Sequence, residues 1–231
     1  MSSNLAAIRA LKDSIAENGF LLARHVVDAA RRDLVLESLG PLTGAGRRGV
    51  LGMLSVAELA SSTTLLDLVR PYVPGEPFAV RAIYFSKSAD ANWYVSWHQD
   101  LTIAVGERRK VVGFEAWSVK EGVPHVQPPD TLLERMLTVR LHLDDTDSAN
   151  GALRVLPGSH RFGRLSAEAI ERQRTNVEEF VCDAMAGDVL LIRPLLLHAS
   201  ARSTTDRERR VLHIEFAGEL LPGGLEWHNR F

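Results

Sequence analysis

His98 and Asp100 stand two positions apart in "WYVSWHQDLTIAV", residues 93–105, a run rich in aromatic and β-branched residues. Alternate residues of a strand face the same way, so His98, Asp100 and Thr102 share one face while Trp97, Gln99 and Leu101 take the other. A buried carboxylate is costly unless it is paired or bound to something. A second strand-like run ends in "LLLHAS" and supplies His198, with Ser200 two residues later on the same face. If the two strands meet inside one barrel, His98, Asp100 and His198 cover three neighbouring corners of an octahedron. Two imidazoles and one carboxylate in that arrangement suit non-haem Fe(II), because the remaining positions stay open for a co-substrate and oxygen.

If that co-substrate is 2-oxoglutarate, its keto oxygen and adjacent carboxylate chelate the iron, and its far carboxylate needs a charged partner deeper in the barrel. A guanidinium fork matches a carboxylate bidentately. "DRERRVLHIEF" offers Arg209 and Arg210 at the start of a strand. Alternation groups Arg209 with Val211 and His213, and Arg210 with Leu212, Ile214 and Phe216; periodicity leaves open which group faces the cavity. His213 is a candidate substrate contact because it shares the parity of Arg209. Arg81, Tyr84, Lys87 and Thr102 lie on strands near the motif and are candidate contacts for substrate or co-substrate, with core or surface placement as the ordinary alternative. Gln127 or His125, in "GVPHVQPP", is a candidate substrate contact if that segment belongs to a lid; a rigid connection is the competing reading, with a hydrogen-bonded core histidine the ordinary alternative for His125.

These side chains need a scaffold. Leu5, Ile8, Leu11 and Ile15 recur at helical spacing, as does a segment from about Asp28 to Leu39, and "SVAELASSTTLLDLVRPYV" reads as a further helix closed by Pro71 and Pro74. "FLLARHV" is short enough to be a strand. From residue 78 the pattern turns to short β-branched segments separated by Gly, Pro, Asn and Asp, interrupted by a helical insert that begins at the N-cap candidate Ser166. Helices first and strands afterwards predict a mainly β chain, a jelly roll with flanking helices. The expected organisation is one domain over 1–231: helical support to residue 77, a jelly-roll core over 78–218 and a C-terminal segment over 219–231 that docks on the domain or on a partner chain. The stretch from Gly106 to Asp130 reads as a long loop able to act as a lid.

"WHQD", "NGALRVLPGSHRFG", "GDVLLIRPLLLHAS" and "RRVLHIEFA" follow one another in an order that resembles the phytanoyl-CoA dioxygenase family of Fe(II)/2-oxoglutarate oxygenases. The resemblance runs from the helical N-terminus to about residue 218. It implies a double-stranded β-helix, also called a cupin-like jelly roll, with His98, Asp100 and His198 as both metal ligands and catalytic centre. It also implies Arg209, eleven residues after His198, as the grip on 2-oxoglutarate, with Ser200 assisting. Where the family often carries an aromatic residue this chain has Arg140, a departure that makes Arg140 a further candidate at the co-substrate, beside Thr102. Halogenating relatives replace the metal-binding carboxylate by a small residue; Asp100 aligns this chain with the oxygenating branch. The implied reaction hydroxylates an unactivated C–H of a small molecule, a natural-product intermediate or an amino-acid derivative, while 2-oxoglutarate and O2 become succinate and CO2.

Composition narrows the alternatives. The 231 residues are 45% hydrophobic and 24% charged with a formal net charge of -2, which offers no general attraction for nucleic acid or an anionic membrane. Cys182 is the single cysteine, so neither an intrachain disulfide nor a multi-thiolate zinc site is available. No apolar run reaches the length of a membrane span and the first residues lack a signal-peptide pattern, so the expected location is the cytoplasm. The competing reading is a catalytically silent cupin-like protein that binds a metal or a small acid. A jelly-roll enzyme using another metal is a third.

Overall fold

The strand carrying "RRVLHIEFA" is the axis of the molecule. The computed structural model describes residues 15–42, 44–88 and 91–231. In it β13 (Arg209–Ala217) lies antiparallel between β3 (Phe78–Lys87) and β8 (Leu137–His142) in a six-stranded sheet of order β1-β11-β8-β13-β3-β2. The outer members are β1 (Phe20–Ala23), β11 (Val189–Ile192) and β2 (Gly46–Arg47). A four-stranded sheet, β10-β9-β12-β4, faces it, built from β4 (Val95–His98), β9 (Leu153–Val155), β10 (Phe180–Val181) and β12 (His198–Ser200). A three-stranded sheet of order β5-β7-β6 comprises β5 (Ile103–Ala104), β6 (Glu115–Lys120) and β7 (Val123–Gln127). The chain is mostly β, with antiparallel pairing throughout, and has the expected jelly-roll architecture with flanking helices.

Both faces of the large sheet are buried, for opposite reasons. Leu212, Ile214 and Phe216 of β13, Val139 and Leu141 of β8, and Tyr84 of β3 pack with Val35, Leu39, Val56 and Leu65 of the helices α1 (Ala29–Leu39), α2 (Leu54–Ala60) and α3 (Thr63–Val69). The intervening positions, Arg209, His213 and Glu215 of β13 with Arg140 of β8, turn to the other side, as a period of two requires. Trp97, Leu156, Leu197 and Ala199 form a separate cluster packed by Leu165, Ile170 and Val177 around α5 (Ala167–Asn176). A short helix α4 (Asp130–Leu133) leads into β8.

Local chemistry sets the helix ends. The Asp28 carboxylate accepts from the Arg31 N–H at 2.8 Å and starts α1, and Gly40, at φ 61°, ends it. The segment read as one helix from Ser55 is two: Ser62 caps a new start by accepting from the Leu65 N–H, which separates α2 from α3. Ser166 caps α5 in the same way. Of the N-terminal helix expected from Leu5, Ile8, Leu11 and Ile15, the first three residues lie outside the described residues; Ile15 is buried and helical.

The 106–130 stretch is not a long loop. Glu121 and Gly122, at φ 50° and 80°, form a two-residue turn that pairs Lys120 with Val123 and folds β6 onto β7. The C-terminal segment docks on the domain: Val105 bridges Trp227, and the backbone of Phe231 exchanges hydrogen bonds with Ala79. Among the described residues no helix is long and apolar enough to cross a membrane.

Candidate metal centre

β4 and β12 pair antiparallel with His98 directly opposite His198. Asp100 follows two residues after His98, its backbone N–H held by the Pro194 carbonyl at 2.9 Å. The Nδ1 of His98 lies 2.8 Å from the Ser96 carbonyl and that of His198 lies 2.9 Å from the Leu196 carbonyl. A carbonyl only accepts, so each Nδ1 carries the proton and each Nε2 presents a lone pair. Ligand atoms from His98, Asp100 and His198 all lie within 4.8 Å of one another.

Asp100 Oδ2 is buried with no hydrogen-bond partner and stands 3.7 Å from His198 Nε2. Burial by itself would raise the Asp100 carboxyl, but the charges of His198, His213, His98 and Arg81 hold it well below the usual carboxylate range. Burial, helped by the neighbouring His98, lowers His198 to about 4. At neutral pH the group is therefore a carboxylate beside a neutral imidazole, the protonation states that metal binding demands. An orphaned buried carboxylate oxygen facing two imidazole lone pairs fits a divalent transition metal, and three ligands from one side leave the other side open.

The same cavity, about 150 Å³, extends from this triad to Ser200, Arg140 and Arg209, with Phe85, Trp93, Val95 and Leu153 as apolar walls. The register of β13 sets Arg209 opposite Lys87 and His213 opposite Arg140. Arg209, Arg140 and Lys87 are all buried and none has a carboxylate partner among the described residues. Burial and the Arg140 charge lower Arg209 to about 9, and burial with Arg209 and Arg140 lowers Lys87 to about 7. Lys87 donates to the Ser200 hydroxyl at 2.9 Å and to the Ala201 carbonyl. Three crowded cations without a counter-ion are costly, so this end of the cavity is built for an anion. A larger groove of about 540 Å³ between α1 and α2 shares no residue with the site.

The structure sorts the remaining candidates. Arg209 faces the cavity, whereas Arg210 lies on the opposite side and pairs with Asp144 at 2.7 Å. His213 lines the cavity, receives a hydrogen bond from Arg140 at its Nδ1 at 3.0 Å, and holds its Nε2 4.0 Å from Asp100 Oδ2 and 3.5 Å from Glu215. Arg81 is ion-paired with Glu215. Three placements correct the expectation from sequence. Tyr84 packs in the helix-facing core, because the alternation that sends Phe85 inward sends it outward. Thr102 lies outside the cavity and accepts from Lys120 at 3.0 Å. Gln127 is bound to Arg164 at 3.1 Å, away from the triad, since "VPHVQ" is the middle strand of a sheet rather than a lid. Phe85, Trp93 and Glu215 are additions the sequence did not single out; Glu215 had a signal, as a lone acid at the parity of Arg209 in an apolar strand.

A family model described as phytanoyl-CoA dioxygenase matches residues 15–211. The chain belongs to the phytanoyl-CoA dioxygenase family. Its members use Fe(II) and 2-oxoglutarate, which places this protein in the Fe/2-oxoglutarate-dependent oxygenase class. No curated protein matches the sequence. Among solved structures it is similar to the epimerase SnoN in complex with Fe3+, α-ketoglutarate and nogalamycin RO, at 15% identity and TM-score 0.69, covering 95% of this chain and 91% of that one. EctD from S. alaskensis with bound Fe has 16% identity and TM-score 0.68, covering 90% and 75%. HygX from Streptomyces hygroscopicus, with nickel and 2-oxoglutarate bound, has 18% identity and TM-score 0.64, covering 90% and 86%. At these identities the likeness is one of fold.

Proposed function

We propose that this phytanoyl-CoA dioxygenase family member hydroxylates an unactivated C–H of a small molecule, a natural-product intermediate or an amino-acid derivative, using Fe(II), 2-oxoglutarate and O2. The observation that carries the reading is the single cavity joining His98, Asp100 and His198 to a cationic end with no counter-ion. His98 Nε2, His198 Nε2 and Asp100 Oδ2 would hold the iron. Iron bound there with 2-oxoglutarate supplies the oxidising power for C–H cleavage, with succinate and CO2 as the co-products.

The protein's own part is positional. Arg209 and Arg140 would take the far carboxylate of 2-oxoglutarate, replacing mutual repulsion by ion pairs. Ser200, which accepts from Lys87 at 2.9 Å and donates to the Gly151 carbonyl at 2.9 Å, would hold the Lys87 ammonium beside that end from the opposite sheet. Phe85, Trp93 and Leu153 keep water from the bound acid. The carboxylate of Asp100 occupies the ligand position that a halide would need, which supports oxygen transfer to substrate. Structural relatives include an epimerase and a carbocyclase, so the outcome is tested on the product itself.

The experiment is an anaerobic titration of metal-free protein with Fe(II) and then 2-oxoglutarate, followed by O2. A weak visible charge-transfer band requiring both additions, then succinate, and finally a product bearing one oxygen atom from O2, are expected. Iron-loaded protein that gives no band and no succinate would instead favour the metal- and acid-binding reading.

A further inference from the structure

A second cavity of about 80 Å³ lies behind the wall of the metal centre. From Asp100 the wall runs through His213, 4.0 Å away, to Glu215, 3.5 Å beyond, and then to Arg81, which lines the second cavity. Thr102, two residues along from Asp100, accepts a hydrogen bond from Lys120, another lining residue. Arg48, Glu121 and His228 stand at the exposed rim, and His125 is buried at 2% exposure.

The charges lining this cavity do not balance. Arg48 is matched by Glu121 at 2.8 Å, and Arg81 by Glu215. Lys120 has neither an ion pair nor any hydrogen-bond acceptor other than the Thr102 hydroxyl among the described residues, although an ammonium has three donors. Its backbone is fixed by the tight turn at Glu121 and Gly122, and its ammonium is held by the Thr102 hydroxyl at 3.0 Å. His125 poses the complementary problem. Its Nδ1 donates to the Val123 carbonyl at 2.9 Å, so Nε2 is an acceptor, and that atom is buried with no partner. One surplus cation and one orphaned acceptor in a small cavity specify a ligand with an anionic group and an O–H or N–H.

We propose that this cavity is a binding site for a small organic acid, its carboxylate seated on Lys120 and its hydroxyl or amine donating to His125 Nε2. The assignment rests on the cavity alone. It places the acid group two residues along the chain from Asp100, on the far side of the wall from the co-substrate's cationic end.

The test uses anaerobic protein saturated with Fe(II) and 2-oxoglutarate, so that acids cannot report on the first cavity. Calorimetry compares 3-hydroxybutyrate and phenyllactate with their primary amides. The acids are expected to bind more tightly than the amides by about ten-fold or more, the scale of a charge-assisted hydrogen bond. Lys120→Met should erase that preference, Lys120→Arg should keep it, and 2-oxoglutarate affinity should be equal in all three proteins. His125→Phe should erase the advantage of 3-hydroxybutyrate over butyrate. Acids that bind no better than amides, or a preference that survives Lys120→Met, would overturn the assignment. The titrations are repeated without Fe(II) and 2-oxoglutarate: a Lys120-dependent preference in protein that binds neither would sink the oxygenase reading and leave the site standing.

Discussion

His98 and His198 face one another across the β4–β12 pair with ring centroids 4.2 Å apart, each ring pinned through Nδ1 by the backbone carbonyl two residues earlier. The pairing turns two distant stretches of sequence into one ligand pair, and Asp100 supplies the third group from the irregular backbone just after β4.

Removing the carboxylate should uncouple the metal from the fold. Wild-type protein is expected to melt at higher temperature in Fe(II) or Zn(II), since a ligand at 100 times its Kd adds about 2.7 kcal/mol. Asp100→Ala should lose that increment, and its metal-free melting point should fall modestly, because the carboxylate's attraction to His198, His213, His98 and Arg81 goes with it. Succinate formation should fall about 10³-fold or more, as expected when a centre supplying several kcal/mol of transition-state stabilisation is lost. Metal stabilisation that persists in Asp100→Ala would show that the ion binds elsewhere.

Adjacent arginines should behave as unrelated residues. Arg209→Ala removes a buried charge aimed at the co-substrate and should weaken 2-oxoglutarate about 10²-fold, in the range of 2–5 kcal/mol for breaking a buried ion pair, with Fe(II) affinity unchanged. Arg210→Ala loses a partly exposed bridge to Asp144 and should cost about 1 kcal/mol or less of stability, leaving 2-oxoglutarate binding intact. Calorimetric titration of both variants decides it, and a reversed pattern would mean that β13 presents its other face.

Much of the site was legible in sequence because strands impose a period of two. That rule pointed to His98 and Asp100, although the strand ends at His98, so that Asp100 comes from the irregular backbone beyond it and Thr102 falls outside the alternation. The choice between Arg209 and Arg210 did not follow, since both faces of β13 are buried and burial alone does not distinguish them. What separates the faces is chemistry: Leu212, Ile214 and Phe216 meet helices, while His213 and Glu215 meet a polar cavity. The 106–130 hairpin escaped notice because its turn uses Glu121 at positive φ, where Asn or Asp is the usual signal. Lys87 was a candidate from its place on a strand near the motif, but setting it beside Arg209 needed the β3–β13 register, a long-range pairing that no local pattern carries.

Tyr84 tests the sidedness of β3 directly. Its ring is buried against the helices and stacked beneath Arg47, whose guanidinium carbon is 6.0 Å from the ring centre. Tyr84→Phe should leave 2-oxoglutarate and metal binding untouched and change stability by less than about 1 kcal/mol, since the buried ring remains. Tyr84→Ala should cost about 3–5 kcal/mol through the cavity it opens. Loss of 2-oxoglutarate affinity in Tyr84→Phe would place its hydroxyl in the site.

Lys87 makes co-substrate binding and apo stability respond oppositely to pH. Burial, with Arg209 and Arg140, brings its ammonium from 10.5 to about 7 in the folded protein. Between about pH 7 and 10.5 the unfolded chain therefore binds a proton that the folded chain does not. The slope of unfolding free energy with pH is then positive, so this group destabilises the metal-free fold below pH 7 and the penalty is relieved as pH rises through that window. A bound dicarboxylate reverses the preference by favouring the charged ammonium. Melting curves across the window should show apo protein gaining stability with pH, while the increment from 2-oxoglutarate shrinks. Lys87→Met should flatten the part of both trends that Lys87 supplies, raise apo stability at neutral pH and weaken 2-oxoglutarate. An unchanged pH dependence in that variant would assign the titration to another group.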